Sequence, residues 1–167
     1  MRILFITPQP PHQTQGGAAI RNWHLMEAAR NAGHTVDLLT FGLFQSDDGE
    51  ACSVPPSPPG ERSSARRISG LIRSATPDLA HRLGADGLRE TLRLLTTQHH
   101  YDLIQVEGIE MWPSLPETDI PLIYDAHNAE ATLQQRMARQ AVRDRHLPRA
   151  VYSTIQTRKL RRYEGAV

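Results

Sequence analysis

Two short segments of the chain concentrate the side chains and backbone features that chemistry needs. The first is Asp125-Ala126-His127-Asn128-Ala129-Glu130, four polar side chains within six residues. A neutral imidazole donates or accepts hydrogen bonds at sugar hydroxyls, and a charged one stabilises a phosphate. Asn128 suits the cap of a following helix, and Glu130 suits that helix's positive end. That structural account leaves Asp125 and His127 unexplained, so His127 is the catalytic candidate. The second segment is Gln15-Gly16-Gly17-Ala18. Glycines ahead of a helix let the backbone approach a ligand, and the helix's unpaired N–H groups favour an anion such as a diphosphate. The same pair also reads as a plain tight turn. It is neither Gly-x-Gly-x-x-Gly nor followed by Gly-Lys-Ser/Thr, which argues against an ordinary NAD or ATP site.

Weaker candidates surround these two. Glu107, before Gly108, reads equally as a ligand for a substrate hydroxyl and as a solvated carboxylate. His12 shares the first loop with the glycines, within reach of an acceptor. No His/Asp/Glu set has the His-Glu-x-x-His type of spacing, so no metal is expected, and no Gly-x-Ser-x-Gly elbow points to a hydrolase. Two basic groups stand out: Arg62, Arg66, Arg67 and Arg73, then Arg158, Lys159, Arg161 and Arg162. They read either as solvated faces or as contacts with an anionic membrane surface or acidic lipid. Aromatic residues do not interleave with them, which argues against nucleic acid.

Positioning those residues takes alternating strands and helices. Arg2 to Thr7 is a continuous apolar run bounded by prolines, the pattern of a strand buried on both faces of a parallel sheet. From Ala18 a helical period takes over, with Ala19, Trp23 and Met26 in one stripe, Ile20 and Ala29 beside it, and Gly33 as the stop. His34 to Phe41 completes a βαβ unit. The spacing predicts a helix over Asp86 to His99 carrying Leu88, Leu92 and Leu95, and strands at Tyr101 to Val106 and Pro121 to Tyr124. Two helices close the chain, Ala129 to Arg145 and Pro148 to Gly165, the second with Leu147, Val151 and Ile155 on one face. The stretch from about 42 to 85 reads as a flexible excursion, in which Gly42 to Ser64, with Pro55, Pro56, Pro58 and Pro59, holds no core element and Arg62 to Arg73 is short, basic and partly amphipathic. The expected fold class is α/β, a Rossmann-like three-layer sandwich with a mainly parallel sheet in a single domain of 167 residues. Ligands of such sheets bind outside the carboxyl ends of the strands, where both candidate segments fall.

Composition sets outer bounds. Nineteen basic residues against eighteen acidic ones leave a net charge of +1, which selects no partner. The lone Cys52 excludes an internal disulfide and suits a reducing cytoplasm. No apolar run approaches a membrane span, and Ile3 to Ile6 is too short for a signal peptide.

Three segments carry a resemblance. Met1-Arg2-Ile3-Leu4-Phe5-Ile6-Thr7, a Pro-rich loop, Gly16-Gly17 and then Ala32-Gly33-His34-Thr35-Val36 form one. Tyr101-Asp102-Leu103-Ile104-Gln105-Val106-Glu107 is the second, and Ile123-Tyr124-Asp125-Ala126-His127-Asn128-Ala129-Glu130 the third. In order and spacing they resemble the N-terminal half of retaining GT-B glycosyltransferases, glycosyltransferase family 4, over the whole chain except Gly42 to about Asp86. The resemblance implies transfer of a sugar from a nucleotide-sugar donor to a hydroxyl acceptor, with retained configuration, no metal and no cofactor beyond the donor as co-substrate. It implies that Gly16 and Gly17 face the donor diphosphate and that His127 bonds the donor sugar. Asn128, Glu130 and Asp125 would support that loop or reach the acceptor, and Glu107 would line the acceptor side. The family's nucleotide-binding segments belong to a C-terminal domain outside this chain, so the chain reads as a truncated acceptor-side domain, ending at Val167 where another strand is due. With the lone Cys52 and the basic segments, the expectation is a cytoplasmic protein with peripheral contact at the inner membrane face. The alternative is a non-enzymatic α/β binding or interaction module on the same fold.

Overall fold

The computed structural model describes residues 1–14, 16–42, 51–54, 71, 73–81, 85–126 and 128–166. The chain divides into two compact units. One joins Met1–Pro59 to Leu83–His127, and the other joins Gly60–Arg82 to Asn128–Val167.

The first unit is a parallel sheet with a helix on each face. Its elements are β1 (Arg2–Thr7), α1 (Gly17–Asn31), β2 (Thr35–Phe41), β3 (Ala51–Val54), α2 (Ala85–Gln98), β4 (Leu103–Glu107) and β5 (Leu122–Asp125). All strand pairings are parallel, in the order β3-β2-β1-β4-β5. This is the strand order of a Rossmann-like doubly wound sheet. Side-chain alternation along β1 divides the core. Leu4 and Ile6 pack with Leu39, Ile104 and Val106, and with Leu88, Leu92 and Leu95 of α2. Phe5, on the other face, packs with Val36, Leu38 and Met26 of α1. The result is the expected three-layer arrangement, with β1 at its centre.

The amino ends of the strands are tied by polar contacts. Arg2 Nε meets Asp37 Oδ2 at 2.7 Å, and its guanidinium stands 5.4 Å from the centre of the Tyr101 ring. The Arg2 backbone N–H donates to Asp102 Oδ2 at 2.6 Å. Asp37 is 2% exposed in the middle of an apolar strand, so Arg2 supplies the pairing that a buried carboxylate requires.

Three expectations change. β3 lies within the stretch read as having no core element, and pairs Leu38 with Ala51 through Phe41 with Val54. Four residues next to Gly, Asp and Pro carry too short a period to be recognised. Further along the same stretch a 3-10 turn stands at Asp78–His81 with Ala80 buried, while 43–50, 55–70, 72 and 82–84 fall outside the described residues, Arg62, Arg66 and Arg67 with them. The stripe of α1 is centred on Ala19, Asn22 and Met26, with Trp23 only half-buried. The strand expected to begin at Pro121 runs Leu122–Asp125 at the sheet edge, where Ile123 is 48% exposed.

The second unit is a helical hairpin, α3 (Glu130–Arg143) and α4 (Leu147–Glu164), with a 3-10 turn at Asp78–His81. Arg145, at φ 57°, reverses the chain between the helices. The helices approach through small residues, Ala131, Ala138 and Ala141 on α3 and Ala150, Ser153 and Thr157 on α4. At the far end Glu164 Oε1 accepts from the Ala131 N–H at 3.1 Å, which satisfies one of the donors that the start of α3 leaves open. The 3-10 turn is pinned to α4 twice. The Asp78 N–H donates to Gln156 Oε1 at 3.0 Å, and the Tyr152 hydroxyl donates to Asp78 Oδ2 at 3.0 Å. The face holding Leu147 and Val151 is not the packed one, for these residues are 66% and 58% exposed. No helix among the described residues is long and apolar enough to cross a membrane.

Candidate functional site at the carboxyl edge of the sheet

Thr7, Glu107 and Asp125 are the last residues of β1, β4 and β5. Parallel register sets Glu107 directly opposite Asp125, and the Gly108 N–H donates to the Asp125 carbonyl at 3.1 Å. Gly108 stands at φ 87°, a left-handed conformation that turns the chain away from the sheet edge and that other residues adopt only with strain. Over this edge lies the start of α1. Gly16, at φ 74°, is its N-cap, and Gly17 its first residue. Among the described residues no side chain caps this end, and no acidic residue stands in its first turn. Both glycines are exposed, and a Cβ added to either meets nothing within 4 Å. The glycine pair is therefore not there to relieve crowding. Its open backbone can be approached closely by a ligand.

Glu107 is neither solvated nor presented at the surface. It is 0% exposed, and its Oε1 accepts from Gln105 Nε2 at 2.7 Å. Asn22, also 0% exposed, supplies the second contact. Its amide satisfies both neighbours when Nδ2 donates to Glu107 Oε2 at 3.1 Å and to the Ala18 carbonyl at 3.2 Å, while Oδ1 accepts from the Thr7 hydroxyl at 2.9 Å. Asn22 thus joins α1 to the ends of β1 and β4 through one buried side chain. Its own sequence signal was a polar residue three after Ala19 and four before Met26, inside an apolar helical stripe.

Asp125 also has a partner, the Arg21 Nη2 group on the neighbouring turn of α1. The hydrogen bond to Asp125 raises the Arg21 pKa above its ordinary value, and the nearby Glu107 charge adds to the effect, so the guanidinium keeps its charge at any accessible pH. The Arg21 side chain is 43% exposed, which leaves part of its donor fork facing water. Nothing in the sequence pattern singled Arg21 out, because an arginine one turn into a helix is ordinary on a solvated face.

The remaining candidates are more dispersed. His12 is exposed, and its Nδ1 accepts from the Thr14 N–H at 3.1 Å. His127 lies outside the described residues. Asn128 does not cap α3. The N-cap is Ala129, with no side-chain bond, and Asn128 Nδ2 instead reaches Glu130 Oε1 at 3.2 Å. Glu130 opens the helix as its one acidic residue in the first turn, which suits the dipole. Among the described residues no group of three His, Cys, Asp or Glu could hold a metal ion.

The sheet edge therefore combines an uncapped helix N-terminus, two open glycines and a fixed guanidinium, with the carboxylates of Glu107 and Asp125 already engaged. That arrangement suits holding an anion more than moving a proton. No protein-family model, no curated protein and no solved structure matches the chain.

Proposed function

We propose that this chain is the acceptor-side half of a retaining GT-B glycosyltransferase, passing a sugar from a nucleotide-sugar to a hydroxyl acceptor. One observation carries the reading most of the way: the open Gly16–Gly17 turn and Arg21 stand over the carboxyl edge of a parallel sheet ordered β3-β2-β1-β4-β5. Open α/β sheets bind ligands at that edge, and a helix N-terminus beside an arginine favours a diphosphate. The segment resembling the family's active-site loop begins at Asp125, on the same edge.

In this reading Gly16 and Gly17 present backbone N–H groups to the donor diphosphate, and Arg21 adds charge there. His127 hydrogen-bonds the donor sugar near the reacting carbon. The leaving diphosphate departs as the acceptor hydroxyl attacks the same face and passes its proton to the departing phosphate oxygen, so catalysis rests on positioning and on stabilising leaving-group charge. Asp125 keeps Arg21 oriented, and Glu107 holds the loop ends through Asn22. A second domain, outside this chain, would supply the wall that binds the nucleotide.

A second reading keeps the fold without the chemistry. It is favoured by the internal partners of Glu107 and Asp125, which already engage both carboxylates within the protein. Assaying the protein that carries this chain with nucleoside-diphosphate sugars, and following the anomeric proton of the product, separates the two. Sugar transfer with retained configuration, lost in His127→Ala with an unchanged circular dichroism spectrum, is the expected result. Binding without turnover for every donor tried moves the conclusion to the non-enzymatic module.

A further inference from the structure

The charge of this chain is unevenly placed. Residues 130–164 hold nine basic residues, Arg136, Arg139, Arg143, Arg145, Arg149, Arg158, Lys159, Arg161 and Arg162, against three acidic ones, Glu130, Asp144 and Glu164. The whole chain has nineteen against eighteen. The excess lies on the α3–α4 hairpin.

Helix α4 is also inverted. It buries Ser153, Gln156 and Thr157 beside Ala150 and Leu160, and exposes Leu147 and Val151. At 3.6 residues per turn, Leu147, Val151, Arg158 and Arg161 or Arg162 follow one another along a single outward stripe. Its first two turns are aliphatic and its last two cationic. Val142, 59% exposed near the end of α3, adds a third aliphatic group at the turn of the hairpin.

Two hollows flank the cationic part. One, of about 330 Å³, has Ala138, Val142 and Thr154 in its wall, with Arg139, Arg158 and Arg161 around it. The other, of about 300 Å³, sets Leu71, Ser74 and Ile155 beside Arg158, Lys159 and Arg162. Among the described residues Arg139, Arg158 and Arg161 make no ion pair. Guanidinium groups over an apolar floor match a phosphate ester attached to a hydrocarbon body.

We propose that the outward face of the α3–α4 hairpin docks on an anionic lipid bilayer, Leu147, Val151 and Val142 entering the interface while the arginines bind lipid phosphates. Charge complementarity selects this partner, and the exposed aliphatics fit an interface with an apolar side. A nucleic acid would want exposed stacking surfaces. The hairpin's aromatics, Tyr152 and Tyr163, are both half-buried, and the Tyr152 hydroxyl is engaged by Asp78. The inference stands independently of the transferase reading.

The test is co-sedimentation of the whole chain with phosphatidylcholine vesicles, and with vesicles of phosphatidylcholine mixed with phosphatidylglycerol. The chain should pellet only with the anionic vesicles, and added salt should release it. Each basic residue near such a surface is worth about fivefold in partitioning, so Arg158→Ala with Arg161→Ala should lower it about thirtyfold. Leu147→Ser with Val151→Ser should also weaken binding while leaving the salt dependence in place. All four side chains are exposed, and circular dichroism of each variant confirms that it is folded. Equal partitioning onto both vesicle types, or none onto either, overturns the proposal. So does tighter binding to duplex RNA at the same salt, or lipid-free self-association that the Leu147/Val151 variant abolishes.

Discussion

A carboxylate with no access to water persists only if other groups replace the hydration it has lost. Glu107 has that replacement in Gln105 and Asn22, so Asn22 is the residue whose loss the fold should feel most at this edge. Asn22→Ala removes one charge-assisted hydrogen bond and leaves the buried carboxylate under-satisfied, at a cost of about 2–3 kcal/mol in chemical denaturation. Glu107→Gln in the Asn22→Ala background should recover part of it, because the buried charge that Asn22 helped to satisfy is then gone. A loss near 0.5 kcal/mol, the size of an ordinary surface change, would show that Asn22 does not satisfy Glu107. The sequence carried this site only in part. Glu107 stood out as a polar group ending an apolar strand, but its partner looked like an interruption in the stripe of α1. Apolar periodicity describes what avoids water, and is silent about which polar side chain is taken into the core with it. His127 lies outside the described residues, and its role stays an expectation from its segment. On the proposed transferase reading, His127→Ala in the protein that carries this chain should lower kcat by about a hundredfold or more, within the range of a positioned histidine.

Elements show a different balance. The strands at Arg2–Thr7, Thr35–Phe41 and Leu103–Glu107 were legible because their apolar runs are long and buried on both faces. Leu88, Leu92 and Leu95 of α2 were legible because helical spacing alone sets them on one buried face. β3 was not, since four edge residues carry no period, and the capping of α3 by Glu164 was not, since it joins residues 33 apart. Glu164→Ala should therefore destabilise the hairpin by about 1 kcal/mol, as loss of a helix cap does. The two glycines opening α1 should part company under substitution. Gly16→Ala forces a Cβ into φ 74° and should cost about 1 kcal/mol in thermal unfolding. Gly17→Ala meets no neighbour and improves helix propensity, so stability should hold or rise by up to about 1 kcal/mol. If the backbone at Gly17 approaches a diphosphate, that same substitution should weaken donor binding. Unchanged affinity in Gly17→Ala would reduce the glycine pair to a turn.

At the scale of the molecule, the chain divides into two compact units. The Rossmann-like sheet carries the edge with the glycines, Arg21 and the engaged carboxylates. The helical hairpin carries the basic charge and the exposed aliphatics. The parallel sheet was predictable from alternating strand and helix, because a parallel crossover needs a connection of that length. The inverted face of α4 was not, because small and polar residues pack in that hairpin where larger apolar ones were expected to. The most direct test of the central claim is to follow the backbone amide resonances of the chain while adding a nucleoside-diphosphate sugar. We predict saturable shifts at Gly16, Gly17 and Ala18, with the Arg21 side-chain signals moving alongside. Shifts confined to the α3–α4 hairpin, or none at concentrations where a single-domain site should fill, would contradict the assignment of the sheet edge as a donor site.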